Sequence, residues 1–326
     1  MSNATTLLVG DIGGTNARFA LARIDKPAYE HELTLQCAEF ESAEAAINAY
    51  LEKVSASRPA VICLAVAGPV VDGTVSFTNN RWQVATTGLS AIFNTSLVRL
   101  LNDFEAIACS IPEVNRRYSL QLSGPEEQDL ANGDFSVGIL GPGTGLGAAG
   151  LLRRGSQLIP MATEAGHVGF APESAIQDEL LQQLRAKYSR VSDERLVSGM
   201  GIENLYWALS SLEHGKGIEI NAAQVFERMN QDPVASRVVD LFFELLGQVA
   251  GNLALSLGAF NGVYIAGGIA QRYPELLQAS RFREGFENKG RHRALLERVP
   301  TMLVQHPNPG LLGAASVAID MLKERR

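Results

Sequence analysis

The feature that most constrains the fold of this chain is a theme that occurs twice: an apolar strand, a glycine-rich turn, then a second strand. The first copy runs Leu7-Leu8-Val9-Gly10-Asp11, then Gly13-Gly14-Thr15-Asn16, then Arg18-Phe19-Ala20-Leu21-Ala22. The second runs from an apolar segment at 135–140 through Gly141 to Gly147 and out along 148–153. A strand that returns through a tight turn makes an antiparallel hairpin, not a strand feeding a helix. Two such hairpins in 326 residues read as a structural duplication, one hairpin per domain, in a chain long enough for two cores.

The remaining pattern is α/β. Residues 44–53 have helical spacing of Ala, Ile, Tyr and Leu, and residues 60–66 form an apolar run suited to a strand buried on both faces. Another strand ends at Leu100-Leu101, just before Asn102-Asp103, and a helix is expected from Phe104. Residues 119–134, rich in Ser, Pro and acidic groups, read as a linker. Helices are expected at 202–211 and 238–257, and a strand at 262–266 ends in Gly267-Gly268. Asn308-Pro309-Gly310 offers an N-cap and an N1 proline for the last helix.

The glycine-rich turns are candidate anion sites, because glycine lets backbone amides converge on a phosphate. Asp11, at a strand's carboxyl end, suits a Mg²⁺ held through water. The second turn contains a decoy: Gly145-Leu146-Gly147-Ala148-Ala149-Gly150 fits G-x-G-x-x-G. That fingerprint needs a helix directly after it, whereas residues 151–159 read as strand, turn, strand. A P-loop fails as well, since no Gly-Lys-Ser/Thr follows. Two candidate anion-binding hairpins remain, although the first could also be an ordinary glycine-rich turn.

Asn102-Asp103 sits at a strand's carboxyl end, where α/β sheets place ligands, although Asp103 could equally cap the helix that follows. Glu194, in Ser192-Asp193-Glu194-Arg195, could be a solvated charge. Glu164 and His167, in Glu164-Ala165-Gly166-His167, could be metal ligands three apart, but no third ligand is apparent. With 28 basic against 35 acidic residues the net charge is −7, which argues against nucleic acid or an anionic membrane as partner. Two short basic clusters, Arg153-Arg154 and the last residues from Lys323, read as a turn and a helix C-terminus. The N-terminus lacks a basic leader, and no apolar stretch reads as a membrane span. Three scattered cysteines, Cys37, Cys63 and Cys109, argue against disulfides or a cysteine zinc site, so a cytoplasmic setting is expected.

Taken in order, these motifs closely resemble the bacterial glucokinases of the proteobacterial type, within the actin, hexokinase and Hsp70 ATPase superfamily. The matching stretches are Gly10 to Arg18, Thr78-Asn79-Asn80-Arg81-Trp82, Asn102-Asp103-Phe104, Gly143 to Gly147, and Glu164-Ala165-Gly166-His167-Val168. They continue with Glu194-Arg195-Leu196-Val197-Ser198-Gly199, Ile265-Ala266-Gly267-Gly268-Ile269, and Asn308-Pro309-Gly310-Leu311-Leu312-Gly313. The resemblance implies a two-domain ribonuclease H-like fold with mixed sheets flanked by helices and a cleft between domains. It implies a small domain of residues 1–113 plus 307–326 and a large one of 114–306.

It also implies ATP- and Mg²⁺-dependent phosphorylation of glucose at its 6-hydroxyl, with Asp103 as the base. Asn102, Glu164, His167 and Glu194 would hold the other sugar hydroxyls, and acceptors such as Glu164 and Glu194 would reject epimers, because a misplaced hydroxyl leaves a buried acceptor unpaired. Asp11, Gly13, Gly14, Thr15 and Asn16 would form the first phosphate loop. Gly143, Thr144, Gly145 and Gly147 would form the second, and Gly267 and Gly268 would lie near the adenosine. A homodimer is expected, and glucose is expected to draw the domains together. Related kinases of the ROK type keep a zinc-binding cysteine cluster that this chain lacks, so no zinc is expected. Three rival readings stand beside this one: a kinase for another hexose, such as fructose or an N-acetylated mannosamine; an ATPase binding module like actin or the chaperones, which leaves the sugar-contact set unexplained; and a sugar-sensing regulator. The regulator normally carries a helix-turn-helix ahead of the core, for which Asp11 stands too near the first residue.

Overall fold

The computed structural model describes residues 5–77 and 80–325. Thr78 and Asn79 of the Thr-Asn-Asn-Arg-Trp motif lie outside the described residues, as do 1–4 and Arg326 of the terminal basic cluster. The chain divides into two compact units, Met1–Arg117 with His306–Arg326, and Tyr118–Gln305.

The first unit opens with the expected hairpin. β1 (Leu7–Ile12) pairs antiparallel with β2 (Asn16–Ala22), which pairs with β3 (Tyr29–Gln36). Helix α1 (Ala43–Lys53) follows, its N-cap Ser42 accepting a hydrogen bond from the Ala45 amide. β4 (Val61–Val66) then enters the middle of the sheet, buried at every position, as the apolar run requires. The two-stranded ribbon β5 (Thr74–Ser76) and β6 (Gln83–Ala85), helix α2 (Thr86–Phe93), strand β7 (Leu97–Asn102) and helix α3 (Asp103–Arg117) complete this stretch. The sheet order is β3-β2-β1-β4-β7, with β1, β4 and β7 mutually parallel. Period-two alternation sorts its side chains: Leu8, Ile12, Ile62, Leu64 and Val66 pack toward α1, and Leu7, Val9, Val61, Cys63 and Ala65 pack toward α3.

The second unit begins where the sequence suggested only a linker. Ser119–Ser123 forms an edge strand, β8, paired with the last strand of that sheet. Its polar Ser and Gln residues alternate with Leu120 and Leu122, which pack on the core of this unit, while backbone pairing completes the edge. β9 (Phe135–Pro142), β10 (Leu146–Arg154) and β11 (Gln157–Thr163) form a meander. Helices α4 (Ala175–Lys187), α5 (Gly199–His214), α6 (Ala222–Arg228) and α7 (Pro233–Leu257) follow. After β12 (Val263–Ile265) come the short helices α8 (Gly268–Arg272), α9 (Pro274–Ala279), α10 (Phe282–Glu287) and α11 (Arg293–Leu296), then β13 (Thr301–Val304). The sheet order is β11-β10-β9-β12-β13-β8. No helix follows β10, so the dinucleotide fingerprint is indeed a decoy.

One expectation needs correcting. Helix α7 is long and apolar enough to cross a membrane by length and composition, although none was expected. It is the central core helix of the second unit, with 78% of its most apolar window buried. A helix apolar on most faces is what a core surrounded by α5, α6, α10 and β9 demands.

The final helix, α12 (Pro309–Glu324), belongs to the first unit and packs on α3, β1 and β4. Pro309 takes the N1 position as expected. Asn308 does stand at the N-cap, but its side chain makes no cap hydrogen bond. Its amide instead donates to Glu32 at 2.9 Å.

Candidate functional site

In the first unit, the parallel registers align Ile12 with Val66 and Val66 with Asn102. Asp11 and Asn102-Asp103 therefore share one carboxyl edge, two strands apart, or roughly 10 Å by ordinary strand spacing. The hairpin tip is tied down by the Gly13 amide, which donates to the Asn16 carbonyl at 2.9 Å, and by Cys37, whose amide donates to the Thr15 carbonyl at 2.8 Å. The Asn80 side chain donates to the Gly13 carbonyl at 3.3 Å, which gives this residue of the Thr-Asn-Asn-Arg-Trp stretch a role as a support of the loop. Asp11 lies 3.8 Å from Arg18 across the β1–β2 pair, with 32% of its side chain exposed. Burial pushes its carboxyl above the usual carboxylate range, with Arg18 opposing.

At the end of β7 the capping question has a clear answer. Asn102 Oδ1 accepts from the Phe104 amide at 2.9 Å and the Glu105 amide at 3.4 Å, while its own amide N–H donates to Glu105. This is a reciprocal cap of α3. Asp103 Oδ1 also accepts from the Phe104 amide, at 2.9 Å, so Asp103 assists a cap that Asn102 already supplies. The Asn102 amide group further donates to the Gly68 carbonyl at 3.2 Å, leaving it one N–H for a ligand.

In the second unit, three predicted features converge on Leu146, the first residue of β10. The loop Gly143 to Gly147 is closed by the Gly143 amide donating to the Gly145 carbonyl at 2.8 Å. The Glu164–His167 segment makes a 3-10 turn whose Gly166 packs against the Leu146 carbonyl so closely that a Cβ would collide with it. The turn containing Glu194 presents its carboxylate from the other side. Glu194 Oε2 accepts from the Leu146 amide at 3.0 Å, and Oε1 lies 3.8 Å from His167 Nδ1. Glu164 and His167 are exposed, while Glu194 keeps only 20% of its side-chain surface. Leu146 was not a predicted site residue, because a backbone donor leaves no mark on residue type.

The same unit contains a cavity of about 800 Å³ lined by Gly143, Thr144, Glu203, Phe226, Gly268 and Tyr273 among others. Phe226 and Tyr273 stack at 3.9 Å between ring centroids, tilted by 16°. Gly267 has φ of 89° and packs on the Pro142 carbonyl, a conformation and a contact that together exclude a side chain. The sequence pointed to Gly267 and Gly268 but not to the aromatic pair, whose members stand far apart in sequence. Helix α5 begins beside the loop, the Gly199 amide donating to the Gly143 carbonyl at 2.8 Å. The positive end of its dipole therefore faces the loop.

Comparison with known proteins gives a consistent result. The family model described as Glucokinase matches residues 8–321. The chain is 42% identical over 314 residues to the glucokinase of Caulobacter vibrioides strain NA1000 / CB15N, covering 94% of this chain and 93% of that one. It is 39% identical over 312 residues to the glucokinase of Erwinia tasmaniensis, covering 95% of each. Among solved structures, the glucokinase of an Antarctic psychrotroph superposes with a TM-score of 0.89 at 33% identity, covering 97% of this chain and 99% of that one.

Proposed function

Because the chain belongs to the glucokinase family and transfers a phosphoryl group from ATP to glucose on the fold of the actin and hexokinase ATPases, we propose that Asp103 is the general base of that transfer. Its carboxylate accepts the proton of the sugar's 6-hydroxyl as that oxygen bonds to the γ-phosphorus. The bond from phosphorus to the bridging oxygen breaks, ADP leaves with the electron pair, and Asp103 passes the proton to solvent. The transition state is loose, so positioning and charge stabilisation carry the catalysis and no covalent nucleophile is needed.

Glu164, His167 and Glu194 bind the remaining sugar hydroxyls, joined by the one free N–H of Asn102. The loops at Gly13, Gly14, Thr15 and Asn16 and at Gly143, Thr144, Gly145 and Gly147 bind phosphate oxygens, the second aided by the α5 dipole. The purine occupies the cavity beside Phe226 and Tyr273, with Gly267 and Gly268 at its edge. Asp11, a carboxylate with about a third of its side chain exposed, would hold Mg²⁺ through water, beside the phosphates. When bound, the ion neutralises phosphate charge. No zinc takes part, and elemental analysis of the purified protein checks this. A cytoplasmic homodimer is the assembly the family resemblance favours, testable by sedimentation.

The observation that carries the sugar-site reading is the convergence of the Glu164–His167 turn, Glu194 and the second glycine loop on Leu146. Glucose titration of Glu194→Gln by calorimetry tests it. Loss of one charged acceptor should weaken glucose by about ten- to a hundredfold. Unchanged glucose affinity would remove Glu194 from the site.

A further inference from the structure

Immediately before Glu194 stands a carboxylic acid for which the reaction has no use. Asp193 is 93% buried by surface area, retaining only 7% exposure. No hydrogen bond or ion pair to its carboxyl occurs among the described residues. No fully enclosed side-chain oxygen among them lacks a partner either, so the Asp193 oxygens retain part of that residual surface. The buried residues around it in sequence are the apolar Val191, Leu196 and Val197 and the uncharged Ser192 and Ser198.

The backbone of Asp193, in contrast, is tied on both sides. Its amide donates to the Val168 carbonyl at 3.0 Å, one residue past His167. Its carbonyl accepts from the Leu196 amide at 3.0 Å and the Val197 amide at 2.8 Å, leading into α5. The Ser198 hydroxyl, capping α5, donates to the Glu194 carbonyl at 2.7 Å. Asp193 is thus the pin between the turn that presents His167 and the turn that presents Glu194.

We propose that Asp193 is a positioning residue for Glu194 and His167, and that ionisation of its buried carboxyl loosens both turns and weakens the enzyme's hold on glucose. The inference rests on the reading of Glu194 as a sugar ligand. Burial pushes the Asp193 carboxyl up to about 7, with no charged group contributing. The titratable groups on the elements packed against it are Glu164 and His167 on one side and Glu203, Tyr206, Glu213 and His214 of α5 on the other, with Glu194 and Arg195 on its own turn. None offers Asp193 a counter-charge. A fresh negative charge in that setting has no partner inside and gains most by moving toward water. Moving it pulls on the Val168 tie and on the hydrogen bond from the Leu146 amide to Glu194.

The test is the glucose KM and kcat of the wild type, Asp193→Asn and Asp193→Ala at saturating ATP, from about pH 6 to about pH 8.5. The wild-type KM should rise several-fold through a midpoint of about 7, with kcat changing less than about twofold, because the defect lies in holding the sugar. Asp193→Asn, which keeps the size but cannot ionise, should have a flat KM near the wild-type low-pH value. Asp193→Ala should also be flat, so either variant serves if the other folds poorly. A wild-type KM that does not change with pH, or the same rise in the variants, would overturn the proposal, the latter assigning the titration to another group such as His167. Glu194→Gln run alongside separates the two claims. If it leaves glucose binding intact, the sugar-site reading fails; if it weakens binding while Asp193→Asn still follows the wild-type profile, only the present inference fails.

Discussion

Glu194 Oε2 accepts a hydrogen bond from the Leu146 amide at 3.0 Å, which joins a proposed sugar ligand directly to the second glycine loop. The neighbouring Gly145 makes room for it: a Cβ there would stand 2.5 Å from the same oxygen. Gly145→Ala should displace the Glu194 carboxylate, which is the far end of a flexible side chain and can yield. Stability should fall by less than about 1 kcal/mol, while the glucose KM rises about tenfold. Steady-state kinetics with glucose and ATP varied in turn, alongside a melting curve, check this. A lowered Tm with unchanged KM would mean that the contact serves only packing.

Much of the fold was legible because its signals are local. Strand β4 announced itself as an unbroken apolar run, and both hairpins were marked by apolar segments on either side of glycine-rich tips. Strand β8 was missed because its alternation of Leu120 and Leu122 with Ser119, Gln121 and Ser123 is only five residues long and runs into a polar stretch, and its pairing partner β13 lies far along the chain. The chemistry-bearing side chains stood out by type, but their supports did not. The Leu146 amide, the Phe226–Tyr273 stack and the burial of Asp193 are created by packing between distant segments. At Asn308 the N-cap position was readable, yet the side chain's choice of Glu32 over the helix was not.

The stacked pair predicts a separation of substrates. Tyr273→Ala removes one ring from the cavity in which the purine is proposed to sit, at a cost of about 1–2 kcal/mol in nucleotide binding. The ATP KM should rise about tenfold while the glucose KM stays within about twofold. Equal effects on both substrates, or none on ATP, would place the purine elsewhere.

Asp193 also predicts a pH dependence of stability. Its folded-state carboxyl titrates at about 7 against an ordinary 3.8. Below the ordinary value both folded and unfolded chains hold the proton, so the group costs nothing. As pH rises, the unfolded chain ionises first, and folding loses stability through the window up to about 7, then no more. The loss is at most about 4 kcal/mol. Asp193→Asn lacks it and should melt higher than the wild type at about pH 8, with the gap closing toward about pH 4. Urea unfolding at several pH values measures this, and a gap that stays constant with pH would contradict it.

The central claim, Asp103 as base, is tested most directly by kcat for Asp103→Asn. Asparagine can accept the Phe104 amide as Asp103 does at 2.9 Å, and Asn102 supplies the main cap of α3. Folding and ATP affinity should therefore be nearly unchanged, while the variant has nowhere to put the proton of the 6-hydroxyl. The account predicts a fall in kcat of about 10²–10⁴ with a Tm within about 2 °C of wild type. A kcat within a few-fold of wild type would contradict it.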